Sequence, residues 1–182
     1  MKNPYQRKKQ PELVRSALID NATQLILEQG VEQTSLQAVA DATDITKGGL
    51  LHHFPTKMAL LAAVYEKTIL DLEAEIEVLI ANDPHSYGRF TRAYIISSIN
   101  GLRNKIPNQQ IISAMLNTPG LSQIWSQWLE KKLALFKEDS LELELIRLTT
   151  DGIWFNALAG ISLHNLTKIE QYLIAQTHNI QK

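Results

Sequence analysis

Apolar residues recur along this chain at intervals of three and four, the period of an amphipathic α-helix. Val14, Leu18, Ala22, Leu25 and Ile26 form the first stripe, which Pro11 opens and Gly30 stops. Thr34 begins a T-S-L-Q run that reads as a capping box, with Gln37 reaching back to the cap. The short helix after it runs from Leu36 to about Ala42 and buries Leu36, Val39 and Ala40. Thr43-Asp44-Ile45 predicts a turn, and a second short helix spans Thr46 to Phe54. Pro55-Thr56 ends that helix and caps a long one, Lys57 to about Ala81, striped at Leu61, Val64, Thr68, Leu72, Ile76 and Leu79.

The later start signals are as regular. Asp83-Pro84 precedes a segment ending near Lys105, and Pro107 restarts the chain for one ending near Asn117. Thr118-Pro119 starts a tryptophan-bearing segment that ends near Glu138. Asp139 with Glu142, and Thr167 with Glu170, form capping pairs for helices of about Leu141–His164 and Thr167–Asn179. No alternating β pattern interrupts the series. The expected fold is all-α with about nine helices: a basic arm at 1–10, a helix-turn-helix unit at 11–56 and a helical domain at 57–182.

Composition narrows the function. A chain of 182 residues suits one large domain or two small ones. No apolar run approaches the roughly 18–20 residues a membrane span requires, and the N-terminus lacks the apolar stretch of a signal peptide. The chain has no cysteine, which excludes disulfides, thiolate chemistry and Cys-based zinc sites, and a reducing cytoplasm is the expected setting. A formal charge of −1 gives no global sign of a nucleic-acid binder. Distribution says more: Lys2, Arg7, Lys8 and Lys9 fall within the first ten residues with no acid among them. Such an arm is either a solvated tail or a contact to DNA backbone or minor groove.

The stretch TDITKGGLLHHFPTK, residues 43–57, carries the most specific chemistry. On a helical wheel Leu50 and Phe54 stack at i, i+4 and pack on the preceding helices. Gly48, Gly49, His52 and His53 point broadly the other way, toward a face that fits the major groove. Two readings of the glycine pair stay open, clearance for DNA and close helix–helix packing inside the motif. Adjacent histidines lie about 100° apart on a helix and cannot converge on zinc, so no metal or cofactor is expected. Neither a nucleophile–base pair nor a phosphate loop supports an enzyme.

From Thr34 to Lys57 the sequence resembles the DNA-binding signature of the TetR family of bacterial transcriptional regulators. Thr34, Val39, Ala40, Ala42, Ile45, Thr46, Gly48, Leu50, His53, Phe54 and Lys57 fall at matching or conservatively replaced positions. Asp44 stands where the family has a turn glycine, and Leu51 where it commonly has a phosphate-touching tyrosine. The resemblance implies double-stranded operator DNA as partner. The expected DNA-facing positions are Thr34, Ser35, Gln37, Thr46, Lys47, Gly48, Gly49, Leu51, His52, His53 and Lys57. The resemblance marks Gln37 and Lys47 as base-contacting positions, with solvated surface residues as the competing reading, and has the hydroxyls and Lys57 meet phosphate, N-capping being the other role of the threonines.

The same resemblance implies that the remaining two thirds binds a small molecule and forms a homodimer through the last two helices. Trp125, Trp128, Trp154, Phe155, Tyr94 and Met115 are expected to line an apolar cavity, with Arg92, Asn100, Asp151 and Asn156 as polar anchors. Ordinary core packing is the competing reading for each aromatic. Asp151 either binds ligand, pairs with Arg147 at i−4, or faces solvent. Ala157, Ala159 and Gly160 permit close approach of a second helix. The expected protein is a ligand-released repressor reading a pseudo-palindromic operator; control by a protein partner and an activating role are the alternatives.

Overall fold

A computed structural model describes residues 11–104 and 107–178. The arm with Lys2, Arg7, Lys8 and Lys9, and Lys105 at an expected helix end, lie outside the described residues. Nine α-helices and no strand occur among the described residues. They are α1 (Pro11–Gln29), α2 (Leu36–Ala42), α3 (Lys47–His53), α4 (Lys57–Ala81), α5 (Arg89–Asn104), α6 (Pro107–Leu116), α7 (Ser122–Phe136), α8 (Leu141–Leu158) and α9 (Leu166–His178).

The first helices start where their own side chains cap them. Ser35, Thr46 and Thr56 each accept a hydrogen bond from the backbone N–H three residues on, at 3.1 Å in all three cases. The cap of α2 is therefore Ser35, not Thr34. Thr34 is 2% exposed and its hydroxyl donates to the Gly30 carbonyl. Gln37 donates to Asp41 one turn ahead, so the expected capping box does not close.

Downstream, five features of the helix ends differ from the sequence expectation. α5 begins at Arg89, after a left-handed Gly88, because its first-turn N–H groups find a distant acceptor: Phe90 and Thr91 donate to the buried Glu138 carboxylate at 2.9 and 2.8 Å. α7 waits for the turn at left-handed Gly120. Ser140, not Asp139, caps α8. α8 stops at Leu158 rather than near His164, because Gly160 adopts φ +76° and closes a Schellman motif. Its N–H donates to the Ala157 carbonyl, and Ile161 N–H donates to that of Asn156. Gly160 thus ends the helix. Thr167 and Glu170 do not cap α9; both accept from Arg103 at the end of α5.

Two apolar clusters hold the helices together. The larger joins Leu18, Ala22 and Ile26 of α1 to Val39, Ala40, Leu50 and Phe54, then continues through Leu60, Val64 and Tyr65 of α4 to Phe90, Met115 and Trp128. The smaller gathers Ile95 and Ile99 of α5 with Leu143, Ile146, Ile153 and Leu173. α5 serves both, with its Phe90–Tyr94 face in one and its Ile95–Ile99 face in the other. α4 is clasped to α7 by Lys132, which is 6% exposed and ion-pairs with Glu73.

Candidate DNA-reading face and effector cavity

α3 is held from behind. Leu50 is fully buried and Phe54 2% exposed, with the Arg15 guanidinium 4.9 Å above the Phe54 ring. The turn before it closes with Asp44 at φ +55°, a conformation Asp tolerates better than most residues, so the missing turn glycine does not break the motif. Ile45 N–H returns to the Ala40 carbonyl at 3.0 Å. The outward side then carries Lys47, Gly48, Leu51 and His52, all exposed, with Gly49 and His53 half-buried beside them.

The glycine pair separates into two roles. A methyl built at Gly48 meets nothing closer than the Thr46 hydroxyl at 4.0 Å, so no neighbouring helix requires the glycine. At Gly49 the same hydroxyl stands 3.3 Å away, and Gly49 N–H donates to it. Gly49 therefore serves the cap, while Gly48 leaves an open surface. Neither fits the packing reading.

Of the other expected DNA-facing residues, Ser35 and Thr46 are exposed caps and Gln37 is exposed but bonded to Asp41 at 2.7 Å. Thr34 is buried and does not reach the surface. The Lys57 ammonium is also engaged: it donates to the carbonyls of Val31 and Glu32, at 2.6 and 3.1 Å, bracing the end of α1 against α4.

A cavity of about 300 Å³ opens among α4, α5, α6, α7 and α8. Tyr94, Trp125, Asp151, Trp154 and Phe155 line it as the sequence suggested. Arg92, Asn100, Met115 and Trp128 do not. Arg92 is drawn away into a buried clasp, donating to Asp83 at 2.6 Å, the His85 carbonyl at 2.7 Å and Thr177 at 3.0 Å. Met115 is fully buried in the core. Trp128 packs edge-on against Phe90 and beside Trp125. Asn156 folds back onto the Gly152 carbonyl.

The cavity also contains residues that the sequence reading passed over. Leu72 and Glu75 come from α4, Ser97, Ser98 and Gly101 from α5, and Ile112 and Leu116 from α6. A signal for Glu75 was present: it lies three residues after Leu72 and four before Leu79, an acid on an otherwise apolar stripe.

Asp151 neither pairs directly with Arg147 nor faces open solvent. Its carboxylate accepts the Tyr94 hydroxyl at 2.5 Å, while Arg147 donates to Thr91 at 2.8 Å. Burial raises the Asp151 carboxyl above its ordinary range, against the opposing pull of the Tyr94 hydrogen bond and the Arg147 charge. Burial, with the Asp151 charge second, pushes the Tyr94 phenol well up. Among the described residues no group of three or more His, Asp or Glu side chains forms a metal site, and no described helix is long and apolar enough to cross a membrane.

Comparison with known proteins agrees with this arrangement. Residues 18–64 match the model of the bacterial regulatory proteins of the tetR family, and residues 88–178 match the tetracyclin repressor-like C-terminal domain. The transposon Tn10 TetC protein of Escherichia coli is 22% identical over 150 residues, 81% of this chain and 76% of its own length. The transcriptional regulator AcrR of Shigella flexneri is 31% identical over 94 residues, half of this chain and 44% of that protein. Among solved structures, the multidrug binding protein EbrR complexed with malachite green superposes with a TM-score of 0.72 at 20% identity, covering 90% of this chain and 97% of that one. With one family model over the helix-turn-helix and another over the cavity-bearing helices, the chain belongs to the TetR family of bacterial transcriptional regulators and is not an enzyme.

Proposed function

We propose that the protein is a homodimeric repressor whose α3 enters the major groove of a pseudo-palindromic operator, and that a small molecule in the cavity releases it. Lys47 and Gln37 would read base edges, Gly48 would let the helix backbone approach, and Ser35, Thr46 and the exposed imidazole of His52 would meet the phosphates. Leu51 supplies an apolar contact in place of a hydroxyl. Thr34 and Lys57 act behind this surface, as supports.

The observation that carries the reading is the shared wall between the two sites. α4 begins directly behind α3 at the Thr56 cap and reaches the cavity at Leu72 and Glu75. α6 lines the cavity with Ile112 and Leu116 and packs on both α1 and α4. A ligand that fits one spacing of these helices better than another shifts the position of α3 by that difference in affinity. EbrR, of the same fold, is complexed with malachite green and with ethidium, which supports a small-molecule occupant here.

Dimerisation is supported by an apolar stripe that no described residue covers. Leu141, Leu145, Leu148, Phe155 and Leu158 project at three-, four- and seven-residue intervals from α8, and Phe155 is 70% exposed. Tyr172 of α9 is 64% exposed. Selection from random-sequence DNA with the purified protein tests the reading: a palindromic site is expected, and recovery of none would sink it. Sedimentation of Leu148→Glu should give a monomer that no longer retards that site. A reporter assay fixes the sign of regulation, with repression expected.

A further inference from the structure

We propose that the cavity selects organic monocations with a flat aromatic body, with Glu75 as their counter-ion and Asp151 as an acceptor for a ligand N–H. This rests on the reading of the cavity as the effector site and adds its chemistry.

The charge inventory of the cavity is one-sided. Among the described residues its lining holds two carboxylates, Glu75 and Asp151, and no lysine, arginine or histidine. Arg147, whose charge bears on Asp151, donates to the Thr91 hydroxyl that Glu138 also holds, and does not line the space. The two acids are in different states. Asp151 is already held by Tyr94, and the Arg147 charge bears on it, so part of its demand for a partner is met. Glu75 has no hydrogen-bond or ion-pair partner among the described residues, although it lies on the same apolar stripe as Leu72 and Ile76. In the empty cavity, water can solvate it. A ligand that fills the cavity removes that water.

Three ligand classes then differ sharply. An anion would meet two carboxylates and, among the described residues, no counter-charge. A neutral ligand would leave Glu75 desolvated and unpaired. A cation restores the balance at Glu75, where reduced dielectric strengthens the attraction. The remaining lining favours a flat body: Trp125, Trp154 and Tyr94 offer aromatic faces, and Trp125 lies 6.5 Å from Tyr94 between ring centres. Such faces attract cations as well as apolar surface. A volume of about 300 Å³ limits the occupant to a few fused rings.

The test uses three tricyclic probes of similar shape on the full chain: cationic proflavine, neutral acridine and an anionic acridine carboxylate. Binding is read by quenching of tryptophan emission, since Trp125 and Trp154 line the cavity. Proflavine should bind tightest. Glu75→Gln, a change of charge at nearly constant shape, should weaken proflavine by about tenfold while changing acridine affinity by less than about twofold. Asp151→Asn should weaken proflavine less than Glu75→Gln does. Acridine or its carboxylate binding as tightly as proflavine would overturn the charge selection with the effector site intact. Equal losses for all three probes in Glu75→Gln would remove Glu75 as counter-ion. If none of the three quenches the tryptophans, the effector-site reading itself fails, and the proposal with it. An unchanged melting temperature for Glu75→Gln separates lost pairing from lost folding.

Discussion

α3 and α5 are both central to their halves of the molecule, yet they begin in opposite ways. α3 is capped by Thr46, the residue immediately before it, which accepts from Gly49. α5 is capped by Glu138, 48 residues from Phe90, whose carboxylate takes two backbone N–H groups and the Thr91 hydroxyl, while Arg147 donates to the same hydroxyl. One start is local and open to water. The other exists only once α5, α8 and the turn after α7 have come together. The DNA-reading unit is thus assembled from short-range signals, whereas the effector domain depends on long-range ones.

Removing the distant cap should have the largest effect. Glu138→Ala leaves two buried N–H groups without acceptors and removes the strongest of the carboxylate charges facing Arg147, so we expect a loss of about 3–5 kcal/mol in chemical denaturation. Thr46→Ala removes the local cap and should cost about 1 kcal/mol. Equal losses for the two would erase the distinction drawn between the halves.

A third change sharpens the role of the open surface. Gly48→Ala adds a methyl that meets no neighbour within 4 Å other than the Thr46 hydroxyl, and alanine favours a helix. Stability should rise by about 0.5–1 kcal/mol, while retardation of the selected operator weakens. A variant that is more stable and binds DNA as well as before would show that Gly48 is not clearance.

The smallest expected effect is at the cavity. Burial raises the Asp151 carboxyl, so the folded protein holds its proton more tightly than the unfolded chain does. Stability from that difference is present below the ordinary carboxylate range and is lost as pH rises through the raised value. Asp151→Asn should therefore melt slightly higher than the parent at neutral pH, with the gap closing in acid. A gap that persists at low pH would assign the gain to packing instead of charge.

The same contrast sets how much could be read from the residues alone. Helices α2, α3 and α4 follow their sequence signals closely, because turn, cap and apolar stripe lie within a few positions of each other. The Leu50–Phe54 face was legible for that reason. Thr34 and Lys57 were not: both resemble surface residues at helix starts, yet the Thr34 hydroxyl turns back to the Gly30 carbonyl and Lys57 reaches the turn after α1 once α4 packs beside it. In the cavity, aromatic content was visible but its members were not separable. Arg92 is as suitable an anchor as Asp151 by type, and the Asp83–Thr177 clasp that removes it joins residues far apart in the chain.

By itself, then, the sequence determined an all-helical chain, the helix-turn-helix and the face that α3 offers, since periodicity and capping act over one or two turns. Tertiary structure decided the start of α5, the early end of α8, and which side chains share the cavity. Those outcomes depend on where acceptors and charges meet across packed helices. The placement of Glu75 belongs to both: its odd position on an apolar stripe is written locally, and its lack of a partner among the described residues follows from what the fold brings within reach.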